Sequence, residues 1–181
     1  MENKNNFVFK ILTIIAWAIF FGICIEAGAL LFNFIYSFFN PLGLKNLYQK
    51  LDLSDLYNRS KNVYFFVYSF VLIIGFMKAI LFYTVIKLLD KLDLDRPFSN
   101  FISIQISRIS YITLFIGIFS FLVQKISQKL QYKGYPISQM DKFWVDSQAY
   151  ILMAAVIYII AVIFKRGIEL QNEKDSTAQS S

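Results

Sequence analysis

Long apolar stretches alternate with short polar connections along this chain, and that rhythm predicts its elements. The first stretch runs from Phe7 to Phe39, with Lys10, Glu26 and Asn33 as its only strongly polar residues. The second, Val63 to Leu89, carries Lys78 in its middle and Lys87 near its end, and the third and fourth cover 101–123 and 144–164. A helix needs about 20 residues to cross the hydrocarbon of a bilayer, so each stretch is long enough and the first has length to spare. None alternates with the period of two that a half-buried strand requires, and a backbone facing lipid must satisfy its hydrogen bonds internally. The predicted fold is therefore all-α. It is a four-helix transmembrane bundle forming one integral membrane domain over 1–181, with short interfacial helices in its connections and a juxtamembrane tail over 165–181.

The connections differ in character. In the first, Pro41 and Gly43 break the preceding helix, and Leu44, Leu47, Tyr48, Leu51, Leu56 and Tyr57 recur between charged residues as in an interfacial helix. The second is charged up to Pro97-Phe98-Ser99, where Pro97 cannot continue a helix but can open the next one. The third turns at Gly134-Tyr135-Pro136, after which Ser138 and Asp141 are candidate caps and Trp144 a candidate interfacial anchor.

Composition narrows the chemistry. Hydrophobic residues make up 57% and charged residues 17%, outside the soluble balance of about half and a quarter. With no His there is no imidazole base, no His-held metal and no Ser-His or Cys-His nucleophile pair, so a non-enzymatic protein without metal or cofactor is expected. The single Cys24 lies inside an apolar stretch and reads as packing. The net charge of +6 comes from Lys and Arg scattered over several loops, which suits anionic lipid better than direct contact with nucleic acid.

Positive charge divides almost evenly between the two sides. Lys10, Lys87 and the Lys165-Arg166 pair lie directly at span ends on the side of the termini, so both termini are expected in the cytoplasm, with the chain in a bacterial cell (inner) membrane. Ala27-Gly28-Ala29 imitates a signal-peptidase site, but Glu26 precedes it and the apolar run resumes through Leu30, Leu31 and Phe32, so the first span is expected to stay.

Glu26 and Lys78 are the ionisable groups that a membrane span does not tolerate without a reason. At 100° per residue Ala18, Gly22, Glu26, Ala29 and Asn33 share a stripe small enough for another helix to approach. With equal end depths, the backbones of Glu26 and Lys78 differ by about 10 Å in height. Either the side chains stretch into an ion pair or Lys78 snorkels towards the cytoplasmic headgroups. The functional reading is a proton- or ion-responsive centre, and the plainer one is helix association. On the third span Ser103, Ser107, Ser110, Thr113, Gly117, Ser120, Gln124 and Ser127 recur at steps of three and four. This face suits close helix packing, or a pore lining in a homo-oligomer.

Beyond the fourth span the chain reads Phe164-Lys165-Arg166-Gly167-Ile168-Glu169-Leu170-Gln171-Asn172-Glu173 and ends in Asp175-Ser176-Thr177 and a polar tail. By itself this is a helix leaving the membrane, with Lys165 and Arg166 at headgroup level and each able to pair with Glu169. This run, with Pro97-Phe98-Ser99 and the four-span layout, resembles the bacterial membrane proteins grouped as domain of unknown function 2975. The Phe32-Asn33-Phe34-Ile35-Tyr36 and Asn40-Pro41 segments are similar to members from Bacteroidetes-type bacteria. The resemblance implies no activity or substrate, but it does imply a gene neighbourhood shared with a small helix-turn-helix regulator. Two functional expectations follow. One is a membrane partner of such a regulator, docking through Lys165, Arg166, Glu169, Glu173 and Asp175. The other is a small transporter, channel or immunity protein centred on Glu26 and Lys78.

Overall fold

A computed structural model describes residues 2–39, 51–92, 98–144 and 146–179. The helices are α1 (Glu2–Phe39), α2 (Ser54–Arg59), α3 (Lys61–Lys91), α4 (Asn100–Tyr132) and α5 (Ser147–Gln179), with a 3-10 helix at Ser138–Phe143. No strand occurs among the described residues. α1, α3, α4 and α5 are long and apolar enough to cross a bilayer, and their outward faces carry exposed Ile14, Ile25, Phe32, Phe115 and Ile159. A surface so apolar is stable only against lipid. This is the architecture of a multi-pass helical membrane protein.

Neighbours in sequence are neighbours in space: α1 packs on α3, α3 on α4, and α4 most extensively on α5. Ser60 caps α3 by accepting from the Val63 N–H at 3.4 Å, and Ser99 caps α4 by accepting from the Ile102 N–H at 3.3 Å. These side chains satisfy amides that have no partner inside their own helices. The proposed opener of α4, Pro97, lies outside the described residues, as do Pro41, Gly43, Leu44, Leu47 and Tyr48 of the expected interfacial helix. Of that expectation α2 remains, with Leu56 and Tyr57 buried.

α4 runs nine residues past the apolar run that ends at Val123, and the chain then reverses at Gly134, whose φ of +78° favours glycine. Arg59 fixes this turn by donating to the Gly134 and Lys133 carbonyls and lying 4.7 Å from the centre of the Tyr135 ring. The returning segment folds inward. Ile137, Met140 and Trp144 are buried against Leu53, Leu56, Tyr64 and Tyr68, which concentrates the core at the end opposite the termini. Trp144 is therefore not an interfacial anchor but a core residue, 1% exposed. Nor do Ser138 and Asp141 cap a helix. Asp141 instead accepts from the Ser127 hydroxyl and the Gln131 amide, both at 2.8 Å, and so ties the 3-10 helix to α4.

Candidate functional site

The two sequence elements that carry the family resemblance meet at the end of the bundle where the termini lie. The Phe98 ring sits 5.4 Å from that of Phe164 and covers Gly167. A Cβ on Gly167 would come within 2.6 Å of two Phe98 ring carbons, so this contact exists only because position 167 has no side chain. Phe98, with Phe164 and Gly167, thus forms one junction, a relation that their separation in sequence conceals.

Past this junction α5 continues without a break to Gln179, twelve residues beyond Gly167 and about 18 Å of helix. Lys165, Arg166, Glu169 and Glu173 are exposed along it. Asp175 lies on the same helix, but its side chain is outside the described residues. Of the two pairings that helical spacing allows, Arg166 makes the contact to Glu169, at 2.8 Å. Both partners are largely exposed, so the pair contributes little to the stability of the fold.

A second polar centre lies between α1 and α3. Glu26 and Lys78 line one pocket of about 30 Å³, with Ile23, Ala27, Gly75 and Phe143 of the 3-10 helix in its walls. The height difference inferred from equal end depths is corrected here. Ala27 stands 3.7 Å from the position of a Gly75 Cβ, so the backbones of Glu26 and Lys78 are offset by only about 3 Å. Lys78 also points away from the termini, with its ammonium 5.8 Å from the centre of the Tyr150 ring near the start of α5. Helical side chains lean towards their own N-terminus, and for α3 that is the end opposite the termini. Snorkelling towards the headgroups on the side of the termini is therefore not what Lys78 does.

The stripe predicted on α1 divides, its second half, Glu26, Ala29 and Asn33, being half-buried. Ala18 and Gly22 are exposed, with nothing within 4 Å of a Gly22 Cβ, whereas the packed positions are Ala16, Ala27, Leu30 and Ser37. In a span apolar all round, small residues alone do not reveal the contact face. On α4 the small-residue face divides. Ser110 donates to the Ala154 carbonyl of α5 at 2.9 Å, and Gln124 accepts from Ser147 at 3.3 Å. Gly117 admits Ile151 and Ser147 so closely that a Cβ would lie 3.0 Å from the Ile151 nitrogen. Ser107 and Thr113 instead bond back to the Ser103 and Ile109 carbonyls of their own helix.

Three polar features in the spans escaped the sequence reading. Arg108 lies inside α4 with its side chain exposed. Gln105 is buried in the same helix with its Oε1 unpartnered among the described residues. Tyr111 and Tyr158 stand together on the outer face of the α4–α5 pair. Hydropathy could have flagged Arg108, whereas the tyrosines needed the packing.

Fold and site together define a class: a four-span helical membrane protein with an inward-folded loop at one end and a helical arm at the other. The chain belongs to the family described as Protein of unknown function (DUF2975), whose model matches residues 47–178. The match takes in α2 to α5, both halves of the Phe98–Gly167 junction and most of the arm. No curated protein and no solved structure matches the chain.

Proposed function

We propose that this protein is a non-enzymatic component of a bacterial cell membrane that holds a soluble partner at the membrane surface. The partner is a small helix-turn-helix regulator, and the termini face the cytoplasm, a reading supported by Lys10, Lys87, Lys165 and Arg166 at span ends on the side of the termini. The observation that carries the reading is the α5 arm, which continues as helix about 18 Å beyond Gly167. A helix that leaves its bundle gains no stability from the extension, whereas a docking element needs exposed Glu169, Leu170 and Glu173 on a rigid support. The Phe98–Gly167 contact supplies that support at the base of the arm.

The alternative, a small transporter, channel or immunity protein, has the Glu26–Lys78 pocket in its favour. That pocket, at about 30 Å³, has room for about one water, far below the roughly 300–1,000 Å³ of sites that enclose small molecules. The arm is the better developed of the two features. Deleting 169–181 is expected to abolish co-purification of the neighbouring regulator from native membranes while membrane insertion persists. Undiminished co-purification from correctly inserted protein rejects the docking site.

A further inference from the structure

Arg108 stands on the outer face of α4, in line with exposed Ile104, Tyr111 and Phe115 at helical spacing, so its surroundings are those of a lipid-facing surface. Among the described residues it has no ion pair, hydrogen bond or ring contact. A lysine in such a place could release its proton, but a guanidinium stays charged in proteins, and an unmet charge within a span is costly. The charge has to be met.

Height identifies the side from which it is met. α4 and α5 run antiparallel, and the Ser110 bond to the Ala154 carbonyl sets their register, which puts Arg108 level with about Val156. Lys165 lies nine residues further along α5, so the backbone of Arg108 is about 13 Å below the headgroup level that Lys165 marks. Lys125, towards the opposite end of α4, is seventeen residues away, or about 25 Å. Long side chains on a helix lean towards its N-terminus, and for α4 that is the end where the termini lie. Arg108 therefore reaches for the nearer headgroups. Tyr111, one turn deeper, leans the same way, and its hydroxyl has no hydrogen-bond partner among the described residues.

The occupant has to be an anion that arrives along a lipid-facing surface. A second copy of the chain brings one deep carboxylate, Glu26, and that residue lines the α1–α3 pocket. Phospholipid brings a phosphate on every molecule that touches this face, and its free oxygens match the forked N–H donors of a guanidinium. We infer that Arg108 binds the phosphate of a phospholipid in the leaflet on the side of the termini, with the Tyr111 hydroxyl as a second donor. The extended side chain covers roughly half of the height difference, and the phosphate covers the rest by sinking, so that leaflet is thinner beside α4 than elsewhere. This inference is independent of the docking arm and of the Glu26–Lys78 pocket.

The test titrates the full chain in detergent with phosphatidylglycerol and reads the affinity of the first bound lipid by native mass spectrometry. Monogalactosyl diacylglycerol, which carries no phosphate, is the comparison lipid, and inorganic phosphate is the competitor. Arg108→Gln should bind phosphatidylglycerol about tenfold more weakly than the parent, the scale of a hydrogen bond to a charged group. The galactolipid should bind the parent about tenfold more weakly too, a comparison that needs no variant. Tyr111→Phe should lose about threefold, the scale of one hydrogen bond within a membrane, and no loss there would strike the phenol from the site. Lys129→Gln, which removes an exposed charge near the opposite end, should change the affinity by less than about twofold. The proposal is overturned if Arg108→Gln binds as tightly as the parent, if both lipids bind equally, or if Lys129→Gln loses as much, since binding would then follow net charge. Displacement of the lipid by inorganic phosphate would make the occupant a free anion, and separation of an oligomer by Arg108→Gln would make it a protein carboxylate; either result overturns it as well.

Discussion

Where α4 meets α5 the backbones nearly touch: a Cβ on Gly117 would sit 3.0 Å from the Ile151 nitrogen and 3.2 Å from the Ser147 carbonyl oxygen. Where α1 meets α3, rings form much of the seam. Phe38 stacks on Phe65 at 4.4 Å, Phe34 lies 5.3 Å from Tyr68, and the Tyr68 hydroxyl donates to the Leu30 carbonyl at 3.1 Å. Lipid removes the hydrophobic drive for helices to associate, so close packing and interhelical hydrogen bonds have to hold them. Small residues achieve this along α4 and α5. The aromatic seam leaves a gap, and Glu26 and Lys78 occupy it. The most apolar stretch of α1 is 6% buried against 39% for α4, so α1 is a peripheral helix held by one narrow stripe. The family match begins at residue 47, and the matched body is the part built from α2 to α5.

The largest effect should come from filling the close contact. Gly117→Leu drives a side chain into the α5 backbone and should cost about 3 kcal/mol, the upper range for overpacking, when unfolding is followed in mixed micelles. Gly22→Leu, facing open space on α1, should change stability by no more than about 0.5 kcal/mol. Equal losses at the two positions would erase the contrast between the interfaces.

Charge reversal probes the gap on the α1–α3 side. Either Glu26→Lys or Lys78→Glu alone puts two like charges on one small pocket and should cost about 2 to 3 kcal/mol, comparable to inserting a charge at mid-membrane. The double exchange should recover most of that loss. If it recovers none, the two groups act as separate sites although they share a cavity.

The smallest effects compare single interhelical bonds. Ser110→Ala removes the bond to Ala154 and Tyr68→Phe the bond to Leu30, and each should cost about 0.6 kcal/mol, the usual scale within membranes. A much larger loss at Tyr68 would make the α1–α3 seam depend on its polar contacts more than on its rings.

The four long apolar helices were legible in the sequence because the bilayer imposes a local rule. Each crossing segment has to be long, apolar and internally hydrogen-bonded, and all of that is written within the segment. The turn at Gly134 was equally readable, since a left-handed turn depends on a few neighbouring residues. The contact face of α1 was not. Ala18 and Gly22 satisfy the small-residue pattern as well as Ala27 does, but Ala27 is the one opposite Gly75. Trp144 at a span boundary is indistinguishable in sequence from an anchor, and only the inward return of the 3-10 helix buries it. For the candidate sites, the sequence named Glu26 and Lys78 individually, whereas their common pocket follows from how far α1 slides along α3.

By itself, then, the amino-acid order determined the number of spans, their helical character and the polar groups that lipid would penalise, because solvation by a bilayer acts on each segment separately. Tertiary structure alone decided which faces touch, that Phe98 closes over Gly167, that the third connection folds inward, and that Tyr111 and Tyr158 stand together. Those outcomes depend on the fit of distant surfaces, and in a span that is apolar all round no periodicity marks the fitting side.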